Sequence, residues 1–129
     1  MIKTVEQYSS IQNTKSYASL LWLFGQYLAD NQRNEEAIRY LESGRDSFEM
    51  MKNVDKEYYQ CLCKLGTCYL NYFEEDKARR SKYLDLARNI SDILQKSRRR
   101  LGKSQTFAIR LRQRIEKYDF PRNIGDKIV

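Results

Sequence analysis

Cys61, Cys63 and Cys68 are the side chains of this sequence with the most reactive chemistry, and they fall within eight residues of one another. The stretch around them has a helical pattern, in which offsets of two and seven put Cys61 and Cys68 on one face and Cys63 well away from it. A structural zinc site needs a fourth ligand, and the chain contains no histidine, so a carboxylate would have to supply it. Buried, reduced thiols in an apolar helix are the simpler reading. The lack of histidine also removes the usual general base, and the sequence holds no nucleophile elbow, phosphate loop or metal-binding helix motif. The expectation is a protein without enzymatic activity, cofactor or metal.

The second chemical signal is charge. The chain carries a net +7, and between Lys96 and Lys117 nine basic residues face one acidic residue, Glu116. That segment alone is +8, which leaves the remaining chain at −1. Arg98, Arg99, Arg100, Lys103, Arg110 and Arg114 are the residues expected to meet phosphates or an acidic partner surface. Against a nucleic-acid site, Arg110, Arg112 and Arg114 do not all share one helical face, and only Phe107 and Tyr118 could stack on bases. A solvated basic face is the preferred reading, with nucleic acid the less favoured partner.

These residues need elements to hold them. With 129 residues, 41% apolar and 32% charged, 5 glycines and 1 proline, the composition predicts a single all-α domain over residues 1–129. The longest apolar run, Leu20 to Gly25, is too short to cross a bilayer, and no apolar signal core follows Met1, so a cytoplasmic protein is expected. Ile2, Val5, Tyr8 and Ile11 suit a short first helix. Tyr17, Leu20, Leu21, Phe24 and Leu28 predict a second, beginning near Thr14 or Ser16 and ending at Asp30–Asn34. Asn34 is expected to cap a third, with Ala37, Ile38, Leu41, Phe48 and Met51 inward and Gly44 where a neighbour approaches closely. Asn53-Val54-Asp55 offers another stop and cap, before a fourth from about Lys56 to Phe73. Glu74-Glu75-Asp76 marks its end and doubles as the acidic first turn of a fifth, which carries Ala78, Leu84, Ala87, Ile90 or Ser91, and Leu94 inward and reaches about Arg99. Gly102 breaks the chain before a last helix, Ser104–Tyr118, with Phe107, Ala108, Leu111 and Ile115 inward, which Phe120-Pro121 stops.

Two of these helices repeat each other. Leu21, Phe24, Gly25 and Leu28 recur as Leu62, Leu65, Gly66 and Tyr69, a period of 41 residues, and Ala37 and Ala78 each lie twelve residues after their glycine. This order resembles the tetratricopeptide repeat (TPR), a pair of antiparallel helices, with Gly25 and Gly66 as its helix A glycine and Ala37 and Ala78 as its helix B alanine. The period exceeds the usual 34 and is similar to the long-helix variety found in kinesin light chain and bacterial peptide-sensing regulators. In the second unit Lys82 and Asp85 stand where the first has Leu41 and Gly44, and a slip of two residues substitutes Leu84 and Ala87. The resemblance implies a first unit at 15–52, a second at 54–99 and a capping helix at 103–120, stacked as a short solenoid.

The resemblance also implies a job: a protein-interaction adaptor or regulator that holds a peptide or partner helix in a groove lined by its A helices. With Leu21, Phe24 and Leu28 inward, the groove residues are Trp22, Gln26 and Asp30 in the first unit and Lys64, Thr67 and Asn71 in the second, beside Ser19, Leu23, Gln60 and Cys63. Trp22 is the expected anchor, although a core position for it fits the pattern equally well. Two units are fewer than a stable stack needs, so the N-terminal segment, the last helix or a second copy of the chain is expected to cover the open faces.

Overall fold

The computed structural model of the chain describes residues 14–52 and 54–128. The expected first helix, with Ile2, Val5, Tyr8 and Ile11, lies outside them. Five α-helices follow one another with no strand between them among the described residues: α1 Lys15–Asp30, α2 Asn34–Met50, α3 Lys56–Glu75, α4 Ser81–Lys96 and α5 Gln105–Ile128. The fold is all-α.

Local signals explain most helix starts. Thr14 caps α1 by accepting a hydrogen bond from the Tyr17 amide at 3.2 Å, and Asp55 caps α3 through the Glu57 amide at 3.1 Å. Asn34 does not cap α2. It is buried inside the first turn, and its side-chain amide donates instead to Glu75 Oε1 of α3 at 3.0 Å. A tertiary partner here outcompetes the local role.

The fifth predicted helix is shorter than its pattern suggests. Glu74 and Glu75 close α3, as expected, but do not open α4, which begins only at Ser81. Two carboxylates at a helix C-terminus oppose its dipole, and cations offset them here. Glu74 accepts from Arg114 at 2.7 Å, and Glu75 from Arg80 at 2.9 Å. At its other end α4 stops at Lys96, because Arg98–Arg100 winds into a 3-10 turn, followed by a second at Gly102–Ser104. Gly102, at φ 55°, supplies the break. The helix is therefore about 24 Å long by its 16 residues rather than the 36 Å that an unbroken run would reach. Pro121 does not stop α5, which runs on to Ile128, since a proline inside a helix forfeits its own hydrogen bond without having to end the element.

Each helix packs on the next. Gly25 of α1 faces Leu41 of α2 while Ala18, Leu21 and Trp22 face Gly44, so the two run antiparallel. Phe48 of α2 meets Tyr58 of α3, and Tyr69 reaches back to Glu42, again antiparallel. Tyr72 of α3 packs edge-on to Tyr83 of α4, and Gly66 faces Ile90. Helices two apart also touch and run parallel. Lys15 pairs with Asp55 and Ser19 donates to Glu57 between α1 and α3, while the Cys63 thiol lies against the Ser104 carbonyl just before α5, and Asn71 accepts from Arg114 between α3 and α5. Leu111 of α5 lies against Gly66, and Leu111 and Ile115 are buried. Phe107, expected inward, is exposed, because the buried line of α5 runs through Ala108, Leu111 and Ile115.

The two glycines of the 41-residue echo both sit at close helix approaches. Their alanines do not match. Ala37 is buried, whereas Ala78 is exposed in the turn between α3 and α4. The reason is length: α3 continues nine residues past Gly66, and α1 only five past Gly25. Ala87 of α4 is instead the fully buried alanine, with Leu84 half-buried, in line with the shifted register.

Candidate functional site

The thiols come first, because they are the reactive groups. Cys61 donates to the Leu41 carbonyl at 3.3 Å, Cys63 lies 3.8 Å from the Ser104 carbonyl, and all three cysteines are buried and unbridged. Burial pushes Cys61 and Cys68 up to about 12 and Cys63 up to about 11. Neutral thiols this far from ionisation are poor nucleophiles. At neutral pH none of them should react with a thiol-specific disulfide reagent in the native protein over a time in which the denatured chain reacts completely, and Cys63 should be the first to react as pH rises. Fast native labelling would show that α3 opens.

The residues expected to line a groove divide into three sets. Trp22 is in the core, 7% exposed, with its backbone against Gly44. Phe24, expected in the core, is 45% exposed. The helix is turned by about one residue from the expected phase, since Ala18, Leu21, Trp22, Gly25 and Leu28 form its buried face. Among the polar residues, Asp30 and Lys64 come together as an ion pair at 3.2 Å across α1 and α3. Thr67 donates to the Cys63 carbonyl within its own helix, and Asn71 is held by Arg114. Gln26 is half-buried beside them on α1. Asp30 and Lys64 thus tie α1 to α3, and Asn71 and Arg114 tie α3 to α5.

The basic segment is also sorted by its partners. Arg114 is held by Glu74 and Asn71, each at 2.7 Å. Tyr118 donates to the same Glu74. Burial and this bond hold the Tyr118 hydroxyl up to about 12. Burial opposes ionisation of Glu74, yet the bonds from Tyr118 and Arg114 outweigh it and keep its carboxyl below the usual range. Arg112 pairs with Glu116 one turn on. Arg98, Arg99, Arg100, Lys103 and Arg110 are exposed, and no acidic side chain pairs with them among the described residues. Arg98–Arg100 project from the turn after α4, held in place by the buried Leu101 and Ser104.

The surface that sequence reasoning missed lies on α1. Leu20, Leu23, Phe24 and Tyr27 are 65%, 54%, 45% and 61% exposed, at the three-and-four spacing of a single helical face. Phe24 extends the face to α2 by meeting the Tyr40 ring edge-on at 4.6 Å. Singly exposed apolar residues need no explanation, but a contiguous stripe does.

The internal repeat supplies a comparison. Forty-one residues on, Leu20, Phe24 and Tyr27 correspond to Cys61, Leu65 and Cys68, which are fully or almost fully buried in α3. There the preceding helix pair covers them, with Cys61 against Leu41 of α2. The stripe of α1 thus holds the sequence counterparts of residues that α3 buries, with nothing described upon it. One signal in the sequence marks it: residues 16–29 contain no charged side chain, in a chain that is 32% charged.

Comparison with known protein families, characterised proteins and solved structures finds no match to this chain. No group of three or more potential metal-binding side chains occurs among the described residues, and no described helix is long and apolar enough to cross a membrane. What the site offers chemically is an uncharged, aromatic-rich helical face on α1 and, around the turn after α4, exposed cations with no acidic partner among the described residues.

Proposed function

We propose that this chain is a non-enzymatic protein-interaction module, an adaptor or regulator acting in the cytoplasm, built as a short stack of TPR-like helix pairs and receiving an amphipathic partner helix. The observation that carries the reading is the exposed stripe of Leu20, Leu23, Phe24 and Tyr27, in which Leu20, Phe24 and Tyr27 have the buried Cys61, Leu65 and Cys68 of α3 as their counterparts. A helix laid on α1 would present apolar groups every three or four residues to that stripe. The binding face moves accordingly from the expected groove around Trp22, Gln26, Asp30, Lys64, Thr67 and Asn71 to the outer side of α1. Packing of α5 on α3, parallel to it as α3 is to α1, supports the stacked arrangement and gives α5 the covering role expected of it.

A second reading has its own observation. Arg98, Arg99, Arg100, Lys103 and Arg110 are exposed without acidic partners among the described residues, which suits association with nucleic acid through phosphate contacts.

One experiment separates the two. A photo-reactive phenylalanine analogue at position 23, introduced in the native cell, should yield covalent protein adducts well above those from the same group at Asp92 on α4. Reversal of Arg98, Arg99 and Arg100 to glutamate should leave those adducts unchanged. Equal yields at positions 23 and 92 would overturn the module reading. Loss of the adducts on arginine reversal would favour the nucleic-acid reading.

A further inference from the structure

We propose that the basic turn after α4 and the first turns of α5 form a site for single-stranded nucleic acid, in which one unpaired base stacks on Phe107 and the phosphates beside it meet Lys103 and Arg110. This rests on the nucleic-acid reading above and adds the form of the strand and the residue that selects it.

Phe107 stands 59% exposed on α5, away from the buried line through Leu111 and Ile115. Its neighbours are cations. Lys103 lies four residues before it, in the 3-10 turn that leads into α5, and Arg110 lies three after it, on the same side of the helix. By the rise of these helices the two cations flank the ring within about 4–8 Å along the axis. Both are exposed, with no acidic partner among the described residues. Arg98, Arg99 and Arg100 continue the positive charge, the last of them only three residues before Lys103, a span of at most about 11 Å. Glu116, the one acid between Lys96 and Lys117, is paired by Arg112. Tyr118, the other aromatic of the segment, is already engaged: its hydroxyl donates to Glu74 and its ring packs edge-on to Phe73.

Phosphates account for the cations, and a base accounts for the ring. In a duplex the base faces are already stacked on one another, so a side-chain ring can stack only where a base is unpaired. Every base has a π-face, so the contact selects the form of the strand rather than its sequence. A membrane fits less well. Phe107 and Ile109, the large apolar residues exposed on α5 among those described, are two positions apart and stand on nearly opposite sides of the helix. That leaves no apolar face to enter a headgroup layer. An acidic protein surface would account for the cations and leave the ring unexplained.

The test uses the full chain with labelled oligouridine and oligothymidine of about ten nucleotides, beside a duplex of the same length, followed by fluorescence anisotropy at two salt concentrations. Either single strand should bind roughly tenfold more tightly than the duplex, and the tighter of the two names the sugar. Phe107→Ala should weaken single-strand binding by about tenfold while leaving duplex binding and the salt dependence unchanged, because it removes a stacking partner and no charge. Phe107→Tyr, which keeps a ring, should bind like wild type. Lys103→Gln combined with Arg110→Gln should lower the slope of log affinity against log salt by about 1.4, at about 0.7 for each lost phosphate contact. Because Phe107 is exposed, circular dichroism of its variants should match wild type. Single-strand binding indifferent to Phe107→Ala, or a duplex bound as tightly as the single strands, would overturn the stacking site while the nucleic-acid reading stands. A chain that binds no strand at low salt, or that binds phosphatidylserine vesicles or polyglutamate more tightly than any strand, would overturn both.

Discussion

Trp22→Ala is expected to lower the unfolding free energy by about 3–5 kcal/mol, the usual cost of emptying a buried tryptophan site. The ring is in the core cluster with Ala18, Leu41 and Phe48, and the backbone beside it lies against Gly44, so the neighbourhood cannot close over the space without moving α2. In a domain of this size, whose whole stability is on the order of 5–15 kcal/mol, that is a large fraction. Leu23→Ala, one residue along, should stay within about 0.5 kcal/mol, because that side chain stands out from the helix. Urea unfolding followed by circular dichroism measures both. Equal midpoints for Trp22→Ala and wild type would place the indole outside the core and restore it as a ligand anchor. The contrast also bears on experiments in the cell: lost partner binding in a Trp22 variant reports unfolding, whereas in Leu23→Glu it reports the surface.

The glycines provide the second large effect. A Cβ on Gly25 would stand 2.7 Å from both Cγ and Cδ2 of Leu41 and 3.2 Å from the Leu41 amide nitrogen. Leu41 is fully buried, so neither its side chain nor its backbone can retreat without parting α1 from α2. Gly25→Val is expected to destabilise by about 3 kcal/mol, the upper range for overpacking. Gly44 is different. Its Cβ would meet Leu21 and Trp22 atoms at 3.4 Å, an ordinary contact, so Gly44→Ala keeps the helix-propensity gain of about 1 kcal/mol with little to set against it. Thermal melts of the pair should move in opposite directions. A tolerated Gly25→Val would mean that the glycine echo is unrelated to helix approach.

The existence and order of α1 to α5 were legible because their apolar residues recur every three or four positions and because Thr14 and Asp55 are good caps. The rotation of α1 was not. Leu20-Leu21-Trp22-Leu23-Phe24 is apolar on every side, and only the small residues Ala18 and Gly25, needed where α2 comes close, fix which side turns in. The start of α4 was hidden for another reason. An acidic trio reads as the end of one helix and the opening of the next at once, and what makes it an end alone is a set of partners, Arg80, Arg114 and Asn34, that the chain brings from 5 to 41 residues away. Of the candidate site, the basic turn at Arg98–Arg100 was visible in the sequence, and the α1 stripe only in its missing charges.

The order in which the helices pack sets how the chain folds. Every described contact named above joins a helix to its next or next-but-one neighbour, and the bond that closes α5 onto α3, from Tyr118 to Glu74, spans 44 residues. Search over such short stretches carries little loop-closure entropy, which places the chain among the fast-folding topologies. Sequential packing also lets the ends loosen independently. The departure of α5 would surrender the contacts of Leu111, Ile115 and Tyr118 while α1, α2 and the approach of Gly25 to Leu41 stay in place, so amide protons of α5 should exchange well before those of α2.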